Sequence, residues 1–211
     1  MSETNEIYQL FPTNVWEIQF SQEQYEVLNK GLVENINELL APKAQIPPGQ
    51  TWQTRNDIHT LPQFLEFTKI IKNAGTGVLD FLQTEQSRLD ITGCWANVNP
   101  PGSSHSPHTH PNNYLSGVYF VRAPQGANQI CFFEPRPFMQ IITPKFKEQN
   151  EQNANMISLN VKEGGLLLFP AWLKHAVPPN QSSEERISIS FNLMFSNFTE
   201  TMSQPLWDGI S

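Results

Sequence analysis

The sequence predicts an α+β chain, mainly β, in which N-terminal helices cover one face of a β-sandwich or jelly roll. Three observations carry this. Up to about residue 90, apolar residues recur at helical spacing. Beyond Asp90, short apolar or alternating runs are separated by turns rich in Pro, Gly, Asn and Ser. Twelve of the 17 prolines lie from Pro100 onward, where helices would be broken and strand ends favoured. Helices followed by many short strands are the pattern of a layered α+β domain.

The first helix is expected over 22–41, where Tyr25, Leu28, Leu32, Ile36, Leu39 and Leu40 share one face. Ser21 and Gln24 have the spacing of a capping box. Pro42 stops the helix, and a loop from Lys43 runs into the turn Pro47-Pro48-Gly49. A second helical region is expected from Pro62 to about Glu85, with Gly75-Thr76-Gly77 as a point of interruption. Strands are expected over 91–98, 115–121, 129–133, 156–161, 166–169, 175–177 and 186–195, with an exposed polar loop over 145–155. No internal repeat is present. The first 90 residues have no evident sheet of their own. The chain therefore reads as one domain over 1–211, with a helical support region (1–89), a β core (90–196) and a C-terminal tail (197–211).

Composition narrows the functional classes. Charged residues are 16%, and the surface polarity is supplied instead by 19 Asn and 17 Gln. The net charge is −7 with no basic run, which disfavours nucleic acid and anionic membrane surfaces as partners. Cys94 and Cys131 lie in apolar runs and read as buried free thiols, not a disulfide framework. The N-terminus lacks a basic region followed by an apolar one, and no stretch approaches the roughly 18 apolar residues of a membrane span, so a cytoplasmic protein is expected. A homodimer is compatible with the sequence but nothing in it argues for one.

Of five histidines, His105, His108 and His110 fall within six residues; the others are His59 and His175. On an extended strand, His108 and His110 would point to one side and could share a metal ion. His175 follows the apolar run Leu166–Pro170 and is the distant third ligand a folded-back sandwich would supply. The same residues could instead form a polar surface loop. After ten intervening residues, His175 is followed by a strand with Arg186, Ser188, Ser190 and Asn192 on one face and Ile187, Ile189, Phe191, Leu193 and Phe195 on the other. The apolar face packs on a core. The polar face meets either solvent or a pocket, where Arg186 could clamp a carboxylate and Ser188 add a hydrogen bond.

Taken in order, His108-Thr109-His110, the distant His175 and Arg186-Ile187-Ser188 resemble the 2-oxoglutarate and Fe(II)-dependent dioxygenases, and more closely a branch of such oxygenases found in bacteria and phages. Leu10-Phe11-Pro12-Thr13, Trp52-Gln53-Thr54, Leu115–Tyr119, Glu134-Pro135-Arg136 and Gly164–Pro170 extend the resemblance over almost the whole chain. It implies a double-stranded β-helix that binds Fe(II), 2-oxoglutarate and molecular oxygen. The implied reaction is hydroxylation of a protein side chain or small metabolite, with release of succinate and carbon dioxide. By the same resemblance His108 and His175 match two iron ligands, and Arg186 and Ser188 match the pair that holds the distal carboxylate of 2-oxoglutarate.

The larger family places Asp or Glu where this chain has His110. A third neutral ligand leaves the metal site more positive by one unit. Within the closer branch His is the expected residue, so His110 is read as a ligand, with Glu134 as the alternative. Asn97 and Tyr119 are candidates for contact with 2-oxoglutarate, Asn97 also reading as a core residue. Arg136 is a candidate for substrate contact or a turn ion pair with Glu134. Trp172 is expected near the mouth of the barrel, His105 exposed or just behind the ligands, and His59 structural or exposed. The histidines also partly fit the cupin pattern: a three-histidine metal dioxygenase, isomerase or small-molecule binder that does not use 2-oxoglutarate. Arg186-Ile187-Ser188 argues against it, since a cupin has no need of a carboxylate clamp.

Overall fold

A computed structural model describes residues 5–41, 47, 49–85, 88–136 and 141–200. The expected helix stop at Pro42, the loop start at Lys43, turn residue Pro48 and the tail from 201 onward lie outside the described residues.

Strand β1 (Trp16–Gln19) leads into helix α1 (Gln22–Leu40). Ser21 caps α1 with the reciprocal capping box expected of Ser21 and Gln24. A short strand β2 (Trp52–Gln53) and two single 3-10 turns (Ile58–Thr60 and Pro62–Phe64) precede α2 (Leu65–Leu82). Helix α2 runs through Gly75-Thr76-Gly77 without a break, contrary to the expected interruption. A Cβ on Gly75 would press on the side chains of Leu193 and Leu89, so this glycine lets the helix lie close on the sheet. The helix ends at Gln83 in a left-handed conformation.

The β region comprises β3 (Leu89–Asn99), β4 (His105–His108), β5 (Leu115–Arg122), β6 (Gln129–Phe133), β7 (Met156–Asn160), β8 (Gly165–Pro170), β9 (His175–Val177) and β10 (Arg186–Phe195), closed by a short helix α3 (Ser196–Thr199). All seven expected strands are present. Two antiparallel sheets form, one of six strands in the order β1-β8-β5-β10-β3-β2 and one of four in the order β4-β9-β6-β7. This is the double-stranded β-helix arrangement. The N-terminal region does more than supply helices: β1 pairs with β8 and β2 with β3, so it closes both edges of the larger sheet.

Two apolar cores follow from strand alternation. Leu166 and Leu168 of β8 face the helices, whereas Leu167 and Phe169 face the smaller sheet. Ile187, Ile189, Phe191 and Leu193 of β10 join the helix-side core with Phe67, Ile71 and Val78 of α2, as the alternation in that strand predicts. Gly117 of β5 is required where the Phe191 ring crosses it, because any Cβ there would collide with that ring. Cys94 and Cys131 are buried and free. Residues 145–150 are exposed, in line with the polar loop expected there.

Candidate active site

The cavity lies between the two sheets. At one end, β4 and β9 pair with His108 directly opposite His175. Strand β4 stops at His108, so His108 and His110 are not neighbours on one extended strand as the spacing suggests. Instead the backbone N–H of His110 donates to the Ala171 carbonyl at 2.9 Å, which folds the turn back and returns the third ring to the others. Ring centroids are 4.4 Å apart for His108 and His175, 4.9 Å for His108 and His110, and 5.2 Å for His110 and His175. One nitrogen from each ring lies within 4.8 Å of the others.

Two of the rings are oriented by the backbone. His108 Nδ1 is 2.7 Å from the Ser106 carbonyl and His175 Nδ1 is 2.9 Å from the Leu173 carbonyl. A carbonyl only accepts, so each Nδ1 carries the proton and each Nε2 presents a free lone pair. Phe169 packs edge-on to His175 at 4.7 Å and restricts its ring. Burial, aided by the neighbouring histidines, lowers the pKa of His110 and of His175 to about 4. Both are neutral at pH 7, the state a metal ligand needs.

At the other end sits Arg186, only 2% exposed. Its guanidinium lies over the Phe120 ring at 5.2 Å, and Nη1 donates to the Gln129 carbonyl at 2.9 Å. Its Nε is buried without a hydrogen-bond partner. Burial lowers its pKa to about 10, which still leaves a cation at pH 7. Among the described residues no carboxylate pairs with it. A buried cation with an open donor is costly unless an anion completes it. Ser188, also buried, lines the cavity beside it. Neutral imidazoles at one end and an unpaired guanidinium at the other suit a metal and a carboxylate respectively.

Residues 93–192, which hold both ends of the cavity, match the family profile described as "Putative 2OG-Fe(II) oxygenase". Over these residues the chain carries the pattern of the 2-oxoglutarate/Fe(II) oxygenase superfamily. The oxygenase is also similar to solved structures. One is the non-haem α-ketoglutarate-dependent epimerase SnoN from nogalamycin biosynthesis (TM-score 0.63, 12% identity, 87% of this chain and 79% of that one). Another is HygX from Streptomyces hygroscopicus, solved with nickel and 2-oxoglutarate bound (TM-score 0.60, 12% identity, 87% and 83%). A third is a Pseudomonas putida prolyl-4-hydroxylase (TM-score 0.59, 12% identity, 87% and 93%). At such identities these likenesses speak to the fold. Comparison with curated proteins gives no match. Among the described residues no helix is long and apolar enough to cross a membrane.

The other candidate residues of the oxygenase fall out as follows. Asn97 lines the cavity, but its amide is occupied: Gln53 Nε2 donates to its Oδ1 at 2.8 Å, and its Nδ2 donates to Ser190 Oγ at 3.0 Å. Tyr119 requires correction. It sits on the helix-facing side of β5, fully buried against Phe67, and its hydroxyl donates to Asn29 Oδ1 of α1 at 2.7 Å. The alternation of β5 sends Val118, not Tyr119, into the cavity. Glu134 does not join the histidine group; Arg136 grips its carboxylate with Nε at 2.7 Å and Nη2 at 2.8 Å, the turn ion pair. Trp172 is 58% exposed. His59 is half-buried and is not among the residues that line the cavity.

His105 is half-buried and lines the cavity, so the exposed reading of it does not hold. Gln53 and Trp95 also line the cavity, and the Trp95 ring lies 5.8 Å from His110. Gln53 had no local signal, since a two-residue strand shows no periodicity. Trp95 could have been found from its shared face with Asn97.

Proposed function

We propose that this oxygenase is an Fe(II)- and 2-oxoglutarate-dependent dioxygenase that hydroxylates a protein side chain or a small molecule. One observation carries the reading: three convergent imidazoles and an unpaired buried guanidinium face one cavity from opposite ends. His108, His110 and His175 would hold the iron, His108 and His175 through Nε2. Arg186 and Ser188 would hold the distal carboxylate of 2-oxoglutarate. The levels of His175 and Val177 on β9, two residues apart, are separated by about 6.6 Å, which suits a five-carbon dicarboxylate spanning the ends.

When bound, iron with 2-oxoglutarate and oxygen supplies the oxidising power, and the co-substrate leaves as succinate and carbon dioxide. The chain's own residues do the rest. Backbone carbonyls fix the imidazole tautomers, Phe169 and Phe132 exclude water behind His175, and Arg186 orients the co-substrate. The substrate would approach past Trp95 and Gln53, the residues beside His110 and Asn97. The chain would act as one domain, a reading favoured by the continuous core that joins α1 and α2 to the larger sheet. The buried Arg186 and the family match favour this over a cupin-like three-histidine protein.

Anaerobic titration tests it. Fe(II) followed by 2-oxoglutarate should give a weak visible charge-transfer band, and admitting oxygen should release succinate. Iron binding without any band or binding heat on adding 2-oxoglutarate would overturn the reading.

A further inference from the structure

We propose that His105 is a further binding residue for the distal carboxylate of the co-substrate, donating a hydrogen bond from Nδ1 beside Arg186. The inference rests on the 2-oxoglutarate reading above and deepens it.

Its first support is the shape of β4. His105 pairs with Val177 and His108 with His175, so three steps on β4 oppose two on β9. In a regular strand, residues three apart point to opposite faces. The bulge removes that alternation, and both His105 and His108 line the cavity. Pro107, which has no N–H to leave unpaired, sits inside the bulge. A feature that costs ladder hydrogen bonds thus turns one extra histidine toward the cavity that Arg186 also lines.

The second support is the hydrogen bonding. Asn99 is the register partner of Arg186 on the neighbouring strand. Its amide nitrogen donates both hydrogens, to Thr51 Oγ1 at 2.8 Å and to His105 Nε2 at 2.9 Å. With Nε2 accepting, the ring proton of the neutral imidazole resides on Nδ1. Nδ1 makes no hydrogen bond to any described residue. His105, with its N–H donor, and Arg186, whose Nε has no hydrogen-bond partner, therefore line the same cavity. A carboxylate has two oxygens and accepts from several donors, so it can use both. A neutral donor adds this bond without placing a second cation next to Arg186.

The test is a comparison of two keto acids on the Fe(II)-loaded enzyme under anaerobic conditions. 2-Oxoglutarate has the distal carboxylate and 2-oxopentanoate does not. His105→Ala should weaken 2-oxoglutarate binding about tenfold, as expected for loss of a hydrogen bond to a charged group. Iron stoichiometry and 2-oxopentanoate affinity should stay as in the wild type. His105→Leu, which retains packing volume, should behave the same way and covers the case in which the alanine variant does not fold. Unchanged 2-oxoglutarate affinity, or equal weakening of both keto acids, overturns the role of His105. A wild-type enzyme that binds Fe(II) but neither keto acid overturns the underlying reading instead, so the two failures are distinguishable.

Discussion

The two faces of the central strands β3, β5 and β10 serve different ends. Toward the helices they present Ile187, Ile189, Phe191 and Leu193, with Tyr119 closed off by its bond to Asn29. Toward the smaller sheet they present Asn97, Arg186, Ser188 and Ser190, polar groups around a cavity. The pleat lets one strand carry a core on one side and a site on the other. The apolar face makes the fold stable enough to tolerate a buried cation on the opposite face. Stability and ligand binding should therefore be separable by face.

The largest effect should come from the helix side. Phe191→Ala empties space against Gly117 and α2 and should cost about 3–5 kcal/mol in denaturant unfolding, with 2-oxoglutarate affinity of the folded protein little changed. Loss of co-substrate binding at unchanged stability would break the division. Next, on the cavity side, Arg186→Ala should weaken 2-oxoglutarate binding by about 2–5 kcal/mol while metal content stays nearly intact. Stability should hold or rise, because a buried unpaired cation is removed. Metal loss at unchanged 2-oxoglutarate affinity would refute the assignment.

Tyr119→Phe is a smaller test. It leaves Asn29 Oδ1 buried without its donor and should cost about 1–3 kcal/mol of stability, with no change in 2-oxoglutarate titration. A change in co-substrate affinity would return Tyr119 to the site. The most gradual effect is in pH. Burial holds His105, His110 and His175 near a pKa of about 4 when folded, below the ordinary histidine value. Between about pH 6.5 and 4 the unfolded chain binds protons that the folded chain does not, so stability is full above that window and falls as pH drops through it. The melting temperature of metal-free protein, followed from pH 7 to 4, should decline accordingly; a flat profile would show that the histidines are not buried as neutral rings.

Much of this was legible because it is local. The strand of Arg186 announces both its faces by alternation, and the capping box at Ser21 needs only residues three apart. The gaps have equally physical causes. Strands β1 and β2 are too short to show a period and exist only because the edges of the larger sheet accept them. Gly75 looks like a helix break in one dimension and is a packing contact in three. Tyr119 has a polar tip, and sequence alone could not tell that the tip meets Asn29, 90 positions earlier.

By itself the sequence determined the order of helices and strands, the inward face of β10 and the set of histidines and arginine able to carry the chemistry, since these follow from residue type and spacing. Only the tertiary structure decided which of them meet. It brought His110 to the other rings through the Ala171 carbonyl rather than along a strand, and it turned His105 inward with a bulge. Both depend on hydrogen bonds between segments far apart in the chain, and no local periodicity encodes such bonds.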